Sequence, residues 1–246
     1  MPKYRLLALD MDGTLLDDEQ RISPENREWI GRAREAGVTV IFATGRGYQS
    51  LLPYAEELNL DSPIVAVNGS EIWRRPGELH ERHPLGRDDV RQLYALALRH
   101  DVWYWAYSTE GVFNRETWTN DVDSYEWLKF GYYTENGEKL SAILDQLNRW
   151  GGYEITNSHP CNLEVNPRGV SKASGLRAVC GLLGIELSET IVAGDSLNDI
   201  AMIREAGFGV AMGNAQDAVK AAADAVTGTN AEHGVAQLIR TYILND

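Results

Sequence analysis

The first third of the chain alternates short apolar runs with longer amphipathic stretches. Three runs are apolar enough for strands buried on both faces of a sheet; they cover residues 4–9, 38–43 and 64–67. Two helices are predicted between them, one from Ser23-Pro24 to Gly37 and one over residues 48–59. Ser is a favoured N-cap, Pro fits the first helical turn, and Gly commonly ends a helix. Strands that alternate with helices predict a parallel, doubly wound sheet.

The pattern changes after residue 73. A turn at Arg75-Pro76-Gly77 predicts a hairpin that runs to Pro84. The next segment carries two amphipathic helices and several short aromatic strands; the helices are predicted over 88–99 and 139–150, and the strands over 102–107, 111–114, 130–134 and 153–157. Five of the seven Trp and seven of the eleven Tyr residues lie in this segment, and aromatic residues favour strands. We predict a separate α+β domain with an antiparallel sheet, inserted into the parallel one.

The alternating pattern resumes near residue 162 and continues to the end of the chain. The predicted strands cover 162–166, 191–193, the vicinity of Val210 and 225–227, and the predicted helices cover 171–183, 199–206, 215–223 and 234–244. The fold class is therefore α/β. A doubly wound, Rossmann-like core is predicted for residues 1–84 and 161–246, with an inserted α+β domain over residues 85–160.

Composition limits the partners and the setting. Hydrophobic residues make up 43% and charged residues 24% of the 246 residues, as in ordinary globular proteins with a substantial core. The net charge of −13 disfavours nucleic acid and anionic membranes as partners. No apolar run approaches the roughly 20 residues that span a bilayer, and Cys161 and Cys180 make no disulfide framework. We expect a cytoplasmic protein that is monomeric or a small homo-oligomer.

Polar residues follow the predicted strands of the core. Asp10 and Asp12 close the first strand two residues apart, so both side chains leave an extended chain on the same side. In open α/β sheets, ligands bind beyond the carboxyl ends of the strands. The same edge is predicted to gather polar residues from distant parts of the chain, namely Thr44, Lys172, Asp195, Asn198 and Asp199.

The residue types at this edge suit a metal ion and a phosphate group. Several carboxylates in one cleft cannot all stay ionised unless a cation offsets their repulsion. Oxygen ligands with few neighbouring imidazoles favour Mg²⁺, which also takes water and substrate phosphate. Thr44 and Lys172 would supply a hydroxyl donor and a fixed positive charge to a phosphate. Backbone N–H groups around Gly13 and Gly45 would add further donors.

Four segments resemble the motifs of the haloacid dehalogenase superfamily, in that family's order and with matching strand context. They are Asp10-Met11-Asp12-Gly13-Thr14-Leu15, Ala43-Thr44-Gly45-Arg46, Gly169-Val170-Ser171-Lys172 and Gly194-Asp195-Ser196-Leu197-Asn198-Asp199. The insert resembles the cap of the Cof-type subfamily of sugar-phosphate phosphatases, subclass IIB. The resemblance covers the whole chain, although nothing in the insert is specific for one substrate.

The resemblance implies different roles for the two carboxylates of the first motif. Asp10 would be the nucleophile, which attacks phosphorus to form an aspartyl-phosphate. Asp12 would protonate the leaving alkoxide and later accept a proton from the attacking water. Dehalogenases and ion-pumping ATPases lack an acid at that position, so Asp12 argues for turnover of phosphate esters.

The resemblance also implies the ligands of the metal and of the phosphate. The metal ligands would be Asp10, the backbone carbonyl of Asp12, Asp195 and Asp199, with Asn198 in support. The phosphate and substrate contacts would come from Gly13, Thr44, Gly45, Arg46, Lys172 and Asn198. Asn68 is a further candidate because it follows the third strand at the same edge of the sheet.

We therefore expect a Mg²⁺-dependent phosphatase that hydrolyses small phosphorylated metabolites, with sugar phosphates as the expected substrates. The insert would close over a small substrate and exclude water. Two alternatives stay open at this stage: a phosphomutase of the same superfamily, and a phospho-accepting or metabolite-binding domain without turnover. Most aromatic residues of the insert are expected to pack its sheet, while one or two, such as Trp103, would reach the substrate. Glu164 is expected beside the pocket.

Overall fold

The computed structural model describes residues 3–245. Its strands, in chain order, are β1 Leu6–Leu9, β2 Thr39–Ala43, β3 Ile64–Ala66, β4 Glu71–Arg75, β5 Glu78–Arg82, β6 Trp103–Ser108, β7 Gly111–Asn114, β8 Trp127–Tyr133, β9 Tyr153–Thr156, β10 Asn162–Pro167, β11 Thr190–Gly194, β12 Phe208–Ala211 and β13 Ala225–Val226. Its α-helices are α1 Pro24–Glu35, α2 Tyr48–Glu57, α3 Arg87–His100, α4 Gly137–Trp150, α5 Lys172–Leu183, α6 Ile200–Glu205, α7 Asp217–Ala222 and α8 Gly234–Leu238, which continues into a π-helical segment, Ile239–Leu244. Within residues 3–245, every helix falls short of the length and apolar content that crossing a membrane requires.

The first sheet has the strand order β13-β12-β11-β1-β2-β3-β4-β5. The strands from β13 to β3 are parallel, and the β4–β5 hairpin extends the sheet with two antiparallel strands. All four residues of β1 are buried. Because successive side chains of a strand point to opposite faces, the sheet must be covered on both faces. The predicted doubly wound parallel core is confirmed.

Strand β1 is the point at which the order of the strands reverses. The chain places β2 and β3 on one side of β1, and it later places β11, β12 and β13 on the other side. In open α/β sheets a ligand crevice forms at such a reversal, beyond the carboxyl ends of the strands. Residue Asp10 follows the end of β1 directly and therefore lies at this crevice.

The inserted segment forms a second, antiparallel sheet of order β7-β6-β8-β10-β9. Helices α3 and α4 pack against it. Together they enclose a hydrophobic cluster of their own, which includes Tyr104, Trp127, Phe130 and Tyr132. The predicted α+β organisation of the insert is confirmed.

One strand belongs to a different sheet from the one predicted. The pattern predicts that residues 162–166 return to the parallel core, and this assignment is wrong, because β10 pairs with β8 and β9 in the antiparallel sheet. Leu163 and Val165 join the buried cluster of the insert, while three polar residues alternate with them. Such alternation is typical of a strand with two different faces, whereas buried parallel strands are apolar throughout. The predicted domain bounds, 1–84 and 161–246 for the core and 85–160 for the insert, stay a prediction, although β10 pairs within the sheet of the insert.

Asn166, at the end of β10, joins the two sheets at their junction. Its side chain is buried, and Nδ2 donates to the carbonyl of Val67 at 3.0 Å and to Ser70 Oγ at 2.9 Å. The carbonyl of Leu128 lies 3.5 Å from the same nitrogen. Val67 and Ser70 follow β3 of the first sheet, whereas Leu128 lies on β8 of the second. One amide group therefore satisfies polar atoms from both sheets.

We expect Asn166→Ala to lower the free energy of unfolding by about 1–3 kcal/mol, because the substitution leaves buried acceptors without a donor. Urea denaturation measures the change. Asn120→Ala, at an exposed position of the insert, is the control and should stay within about 0.5 kcal/mol of the wild type. An effect at Asn166 no larger than that of the control would show that the amide does not tie the sheets together.

Candidate active site

The loop after β1 brings Asp10 to the edge of the first sheet. The N–H of Asp10 donates to the carbonyl of Ala193 at 3.1 Å, which keeps this residue aligned with β11. Gly13 turns the chain with φ +77°, a left-handed conformation that favours glycine. A Cβ at position 13 would lie 2.7 Å from Asp195 Oδ2. The loop therefore requires glycine both for its backbone conformation and for its close approach to Asp195.

Three carboxylates, from the loops after β1 and β11, form a cluster. Oxygens of Asp10, Asp195 and Asp199 lie within 4.8 Å of one another. The backbone N–H groups of Asp195 and Ser196 donate to Asp199 Oδ2 at 2.9 and 3.0 Å. Asp195 accepts from the hydroxyl of Thr14 at 3.1 Å and from that of Ser196 at 2.9 Å. Backbone and hydroxyl donors thus fix the orientation of the two later carboxylates.

Lys172 lies between two of these carboxylates. It is the first residue of α5, whose N-cap Ser171 accepts from the N–H of Ser174 at 3.2 Å. Its Nζ donates to Asp10 Oδ1 at 2.6 Å and to Asp199 Oδ1 at 2.7 Å, and the side chain is fully buried. Burial by itself would lower the pKa of Lys172, but the two carboxylates outweigh burial and raise the pKa. Lys172 is therefore a fixed positive charge inside the protein.

Negative charge remains in the cluster after Lys172 is counted. Burial raises the pKa of Asp10 well above its usual value; Lys172 opposes this shift, and Asp199 and Asp195 add to it. Burial, together with repulsion from Asp199, raises the pKa of Asp195 to about 6. A cation bound to the cluster would offset this repulsion, and an all-oxygen set of donors suits a hard divalent cation. The residues present therefore fit an acidic metal site.

Asp12 contacts Arg46 and is not part of the carboxylate cluster. Its side chain is 49% exposed. Arg46 donates to both of its oxygens, from Nε to Oδ2 at 2.7 Å and from Nη2 to Oδ1 at 2.5 Å. Burial opposes ionisation of Asp12, but the hydrogen bonds from Arg46 outweigh it and lower the pKa of Asp12. Asp12 is therefore held as a carboxylate by the guanidinium of Arg46. Arg46 also contacts Gln20 and Tyr54.

The loops after β2 and β3 are bonded to each other. Val67 and Asn68 both have left-handed backbones, with φ +50° and +56°. This conformation is rare for a β-branched residue such as valine. The N–H of Val67 donates to the carbonyl of Arg46, and the N–H of Asn68 donates to that of Thr44, both at 2.9 Å. Thr44 is buried, and its Oγ1 accepts from the N–H of Arg46 at 3.1 Å. The two loops therefore form one unit at the edge of the sheet.

Asn198 is connected to Glu164 of the insert through the side chain of Asn68. Asn198 Nδ2 donates to Asn68 Oδ1 at 3.2 Å, and Asn68 Nδ2 donates to Glu164 Oε2 at 2.6 Å. All three residues are buried. Two candidate substrate contacts are thus joined in one chain of hydrogen bonds that reaches the second sheet.

A cavity of about 270 Å³ lies between the edge of the first sheet and the insert. The first sheet and its loops contribute Asp10, Asp12, Gly45, Arg46, Ser196 and Asn198, and the insert contributes Trp105, Tyr107, Lys129, Ser158 and Glu164. Six candidate residues of the core are not among those lining this cavity; they are Gly13, Thr44, Asn68, Lys172, Asp195 and Asp199. The structure thus brings the predicted residues together in two layers, one lining the cavity and one behind it. Their catalytic roles stay predictions.

The aromatic residues of the insert fall on two different faces. Tyr104 and Phe130 pack in the hydrophobic cluster beneath the helices, as expected for sheet packing. Trp105 and Tyr107 line the cavity, whereas Trp103 is not among its lining residues. The face of β6 that is directed at the first sheet therefore offers two aromatic rings to a bound molecule.

Lys129 is a charged cavity residue that the sequence interpretation missed. It lies on β8 with its side chain 2% exposed, and its Nζ is 3.2 Å from Glu164 Oε1. The same nitrogen donates to the carbonyl of Gly45 at 2.8 Å. The available signal was a lone lysine between Leu128 and Phe130, because a charged residue inside an apolar strand requires a buried partner. Glu164, which was expected beside the pocket, is that partner.

Comparison with known proteins places this chain in a family. The family described as haloacid dehalogenase-like hydrolase matches residues 7–127 and 115–239. A 5-amino-6-(5-phospho-D-ribitylamino)uracil phosphatase of Bacillus subtilis is 45% identical over 98% of this chain and 96% of its own length. A pyridoxal phosphate phosphatase of Escherichia coli is 29% identical over 98% of this chain and 99% of its own length. The structure of a haloacid dehalogenase-like hydrolase from B. subtilis superimposes with a TM-score of 0.88 at 25% identity, over 96% of this chain and 99% of that chain.

These similarities extend over the core and the insert together, since each alignment covers at least 96% of this chain. The acidic cluster and Lys172 lie in the segments that resemble the family's motifs. The chain therefore belongs to the haloacid dehalogenase-like hydrolases, as a Cof-type phosphatase of small phosphorylated metabolites with an inserted cap domain.

Proposed function

We propose that this phosphatase hydrolyses a phosphate monoester through an aspartyl-phosphate on Asp10, with Mg²⁺ as its cofactor. The observation that carries the proposal is the carboxylate of Asp10, which lines the cavity and lies 2.6 Å from Lys172 Nζ. A carboxylate is a nucleophile that needs no activating base once it is ionised. Burial raises the pKa of Asp10 well above its usual value and Lys172 opposes this shift, so a bound cation would favour the ionised form further.

The reaction then proceeds in two displacements. An oxygen of Asp10 attacks phosphorus, the bond from phosphorus to the ester oxygen breaks, and the leaving alkoxide takes a proton from Asp12. In the second step water attacks the same phosphorus and gives a proton to Asp12. The bond from phosphorus to Asp10 breaks and phosphate is released, which leaves Asp10 as a carboxylate and Asp12 protonated. Asp12 gives this proton to the solvent when it pairs with Arg46 again.

Arg46 controls the state of Asp12 in this scheme. In the free protein Arg46 holds Asp12 as a carboxylate, which cannot donate a proton. A guanidinium also binds phosphate oxygens well, so an incoming phosphate competes with Asp12 for Arg46. Release from Arg46 lets Asp12 take up a proton and approach the ester oxygen.

The residues that would hold Mg²⁺ are Asp10, Asp195 and Asp199, whose oxygens lie close enough to share one ion. The backbone carbonyl of Asp12 completes the proposed set. When bound, the ion would offset the negative charge of the carboxylates and of the phosphoryl oxygens. The donors around Asp195 and Asp199 are in place without it.

For the substrate, we propose 5-amino-6-(5-phospho-D-ribitylamino)uracil, the ester named for the B. subtilis relative that is 45% identical. The cavity supports this choice because Trp105 and Tyr107 offer flat apolar faces that a planar ring can cover. A simple sugar phosphate, the substrate expected from the sequence, has no such ring. The cytoplasmic location and the oligomeric state stay predictions.

We expect Asp10→Asn to abolish turnover, because an amide cannot displace the ester oxygen. Phosphorus NMR of the wild-type reaction should show free phosphate and no isomerised ester, which separates hydrolysis from the mutase alternative. Asp145→Asn makes the same chemical change at an exposed site of the insert and should retain full activity. Turnover by Asp10→Asn would rule out Asp10 as the nucleophile.

Asp12→Ala should lower kcat by about 10²–10⁴, the usual contribution of a general acid–base group. The fold should be intact, since half of the Asp12 side chain is exposed. Steady-state kinetics and circular dichroism melting curves test the two parts separately. A melting temperature that fell together with kcat would assign the loss to the structure and not to proton transfer.

Binding of Mg²⁺ should stabilise the protein more at about pH 8 than at about pH 5, because ligands must lose their protons before they bind a metal. The pKa of Asp195 is raised from 3.8 to about 6. Because folding raises this pKa, protonation of Asp195 stabilises the metal-free folded protein, and the full effect is present below pH 3.8. This stabilisation is lost as the pH rises through about 6. Thermal melting with and without Mg²⁺ measures the effect, and Asp195→Asn should reduce the stabilisation by Mg²⁺ at both pH values, because it removes a proposed ligand. Equal stabilisation at both pH values would argue against Asp195 as a ligand.

A further inference from the structure

Lys129 and Glu164 form a buried ion pair on the second sheet. Their side chains are 2% and 5% exposed, and both residues line the cavity that contains Asp10. Burial opposes ionisation of Glu164, but Lys129 and hydrogen bonds from Asn68 and Ser158 outweigh it and lower its pKa. The insert therefore presents a hydrogen-bond donor, Lys129, and an acceptor, Glu164, to the cavity, and the pair has no net charge. Neither residue has a part in the two displacements on phosphorus.

The pair is held against the first sheet at two points. Lys129 Nζ donates to the carbonyl of Gly45 at 2.8 Å, and Asn68 Nδ2 donates to Glu164 Oε2 at 2.6 Å. Gly45 lies in the loop that carries Arg46, on the opposite wall of the same cavity. The position of Lys129 is thus set relative to the phosphate end of the site before any substrate binds.

Glu164 also fixes the orientation of two amides. An ionised carboxylate only accepts hydrogen bonds, so Asn68 must present Nδ2 to Glu164 and Oδ1 to its other neighbour. Asn198 must then present Nδ2 to Asn68 Oδ1, a contact of 3.2 Å. This leaves Asn198 Oδ1 buried and without a hydrogen-bond partner within residues 3–245. A buried acceptor in a residue that lines the cavity calls for a donor from a bound molecule.

Two aromatic side chains complete this wall. Trp105 lies over Gly131, its partner on β8, where a Cβ would come within 2.3 Å of the indole ring. Glu164 pairs with the same glycine from the other side. Lys129 Nζ is 4.6 Å from the centroid of the Tyr107 ring. Gly131 therefore allows an indole, a carboxylate and an ammonium to share one small face of the sheet.

We propose that this face is the subsite for the leaving group, and that it selects a neutral planar heterocycle with carbonyl acceptors and N–H donors. Trp105 and Tyr107 contact the ring, Lys129 donates to a ring carbonyl, and Asn198 Oδ1 accepts from an N–H of the leaving group. A charged leaving group is disfavoured because Lys129 and Glu164 already neutralise each other in a site shielded from water. This assignment rests on the proposed phosphatase function and adds the residues that determine its specificity.

Two esters that share their phosphate end test the subsite. They are 5-amino-6-(5-phospho-D-ribitylamino)uracil and D-ribitol 5-phosphate, which lacks the ring. The wild type should prefer the first, and the double variant Lys129→Met/Glu164→Gln should lower the ratio of the two kcat/KM values by roughly 10- to 100-fold, as for lost hydrogen bonds to charged groups. The double variant removes both charges together, which avoids a single unpaired charge in the interior.

Tyr132→Phe is the matched control. Tyr132 is buried in the same sheet, its hydroxyl donates to the carbonyl of Leu93 at 2.9 Å, and it does not line the cavity. This variant loses one buried hydrogen bond of the insert and should keep the wild-type ratio. A second variant, Trp105→Leu, should lower the ratio as well, because it removes a ring contact without changing any charge.

The outcomes separate the two proposals. If the double variant lowers both kcat/KM values by the same factor, the pair supports the cleft or contacts the ribityl chain, and recognition of the ring is overturned. A wild type that hydrolyses D-ribitol 5-phosphate as well as the ring ester also overturns the subsite while the phosphatase function stands. Failure of the wild type to hydrolyse either ester would overturn the proposed substrate and the subsite together.

Discussion

The buried ammonium of Lys172 is the interaction on which the rest of the site depends. It connects Asp10, at the end of the first strand, with Asp199, at the start of a helix far along the chain. Without a positive charge at this point, neighbouring carboxylates in a buried crevice would repel one another and bind protons. Asp199 is in turn held by the backbone of the loop that carries Asp195. A single side chain on α5 thus connects Asp10 to the acidic loop, in addition to the backbone pairing of β1 with β11.

The two faces of the second sheet differ in their surroundings. One face packs on helices and contains a hydrophobic cluster that is independent of the first sheet. The other face supplies Trp105, Tyr107, Lys129 and Glu164 to the cavity. Because successive residues of a strand alternate between faces, each substitution in these strands acts mainly on one of the two properties. In the proposed mechanism the residues that act on phosphorus lie on the first sheet, so substitutions on the second sheet would change substrate preference while the reaction is preserved.

Much of the core and of the acidic cluster follows from the sequence, and the reason is geometric. Residues that end parallel strands meet at one edge of a sheet, so Asp10, Asp195 and Asp199 were predicted together although they are far apart in the chain. The strand 162–166 was assigned to the wrong sheet because its apolar residues were weighed more than the polar residues between them. Lys129 was missed because its partner, Glu164, lies on another strand, and no local pattern shows which buried charges will meet. The contact between Asp12 and Arg46 likewise depends on the packing of two loops.

The left-handed backbone at Val67 and Asn68 limits which residues can occupy position 67. Two consecutive left-handed residues, one of them β-branched, cost about 1–3 kcal/mol each. They persist because the carbonyls of Arg46 and Thr44 and the amide of Asn166 hold the segment from both sides. A glycine at position 67 would relieve the backbone strain, but Val67 is fully buried in the hydrophobic core of the first sheet, so the lost packing would offset the gain. Position 67 is therefore a point at which the packing of the core and the geometry of two site loops constrain the same residue.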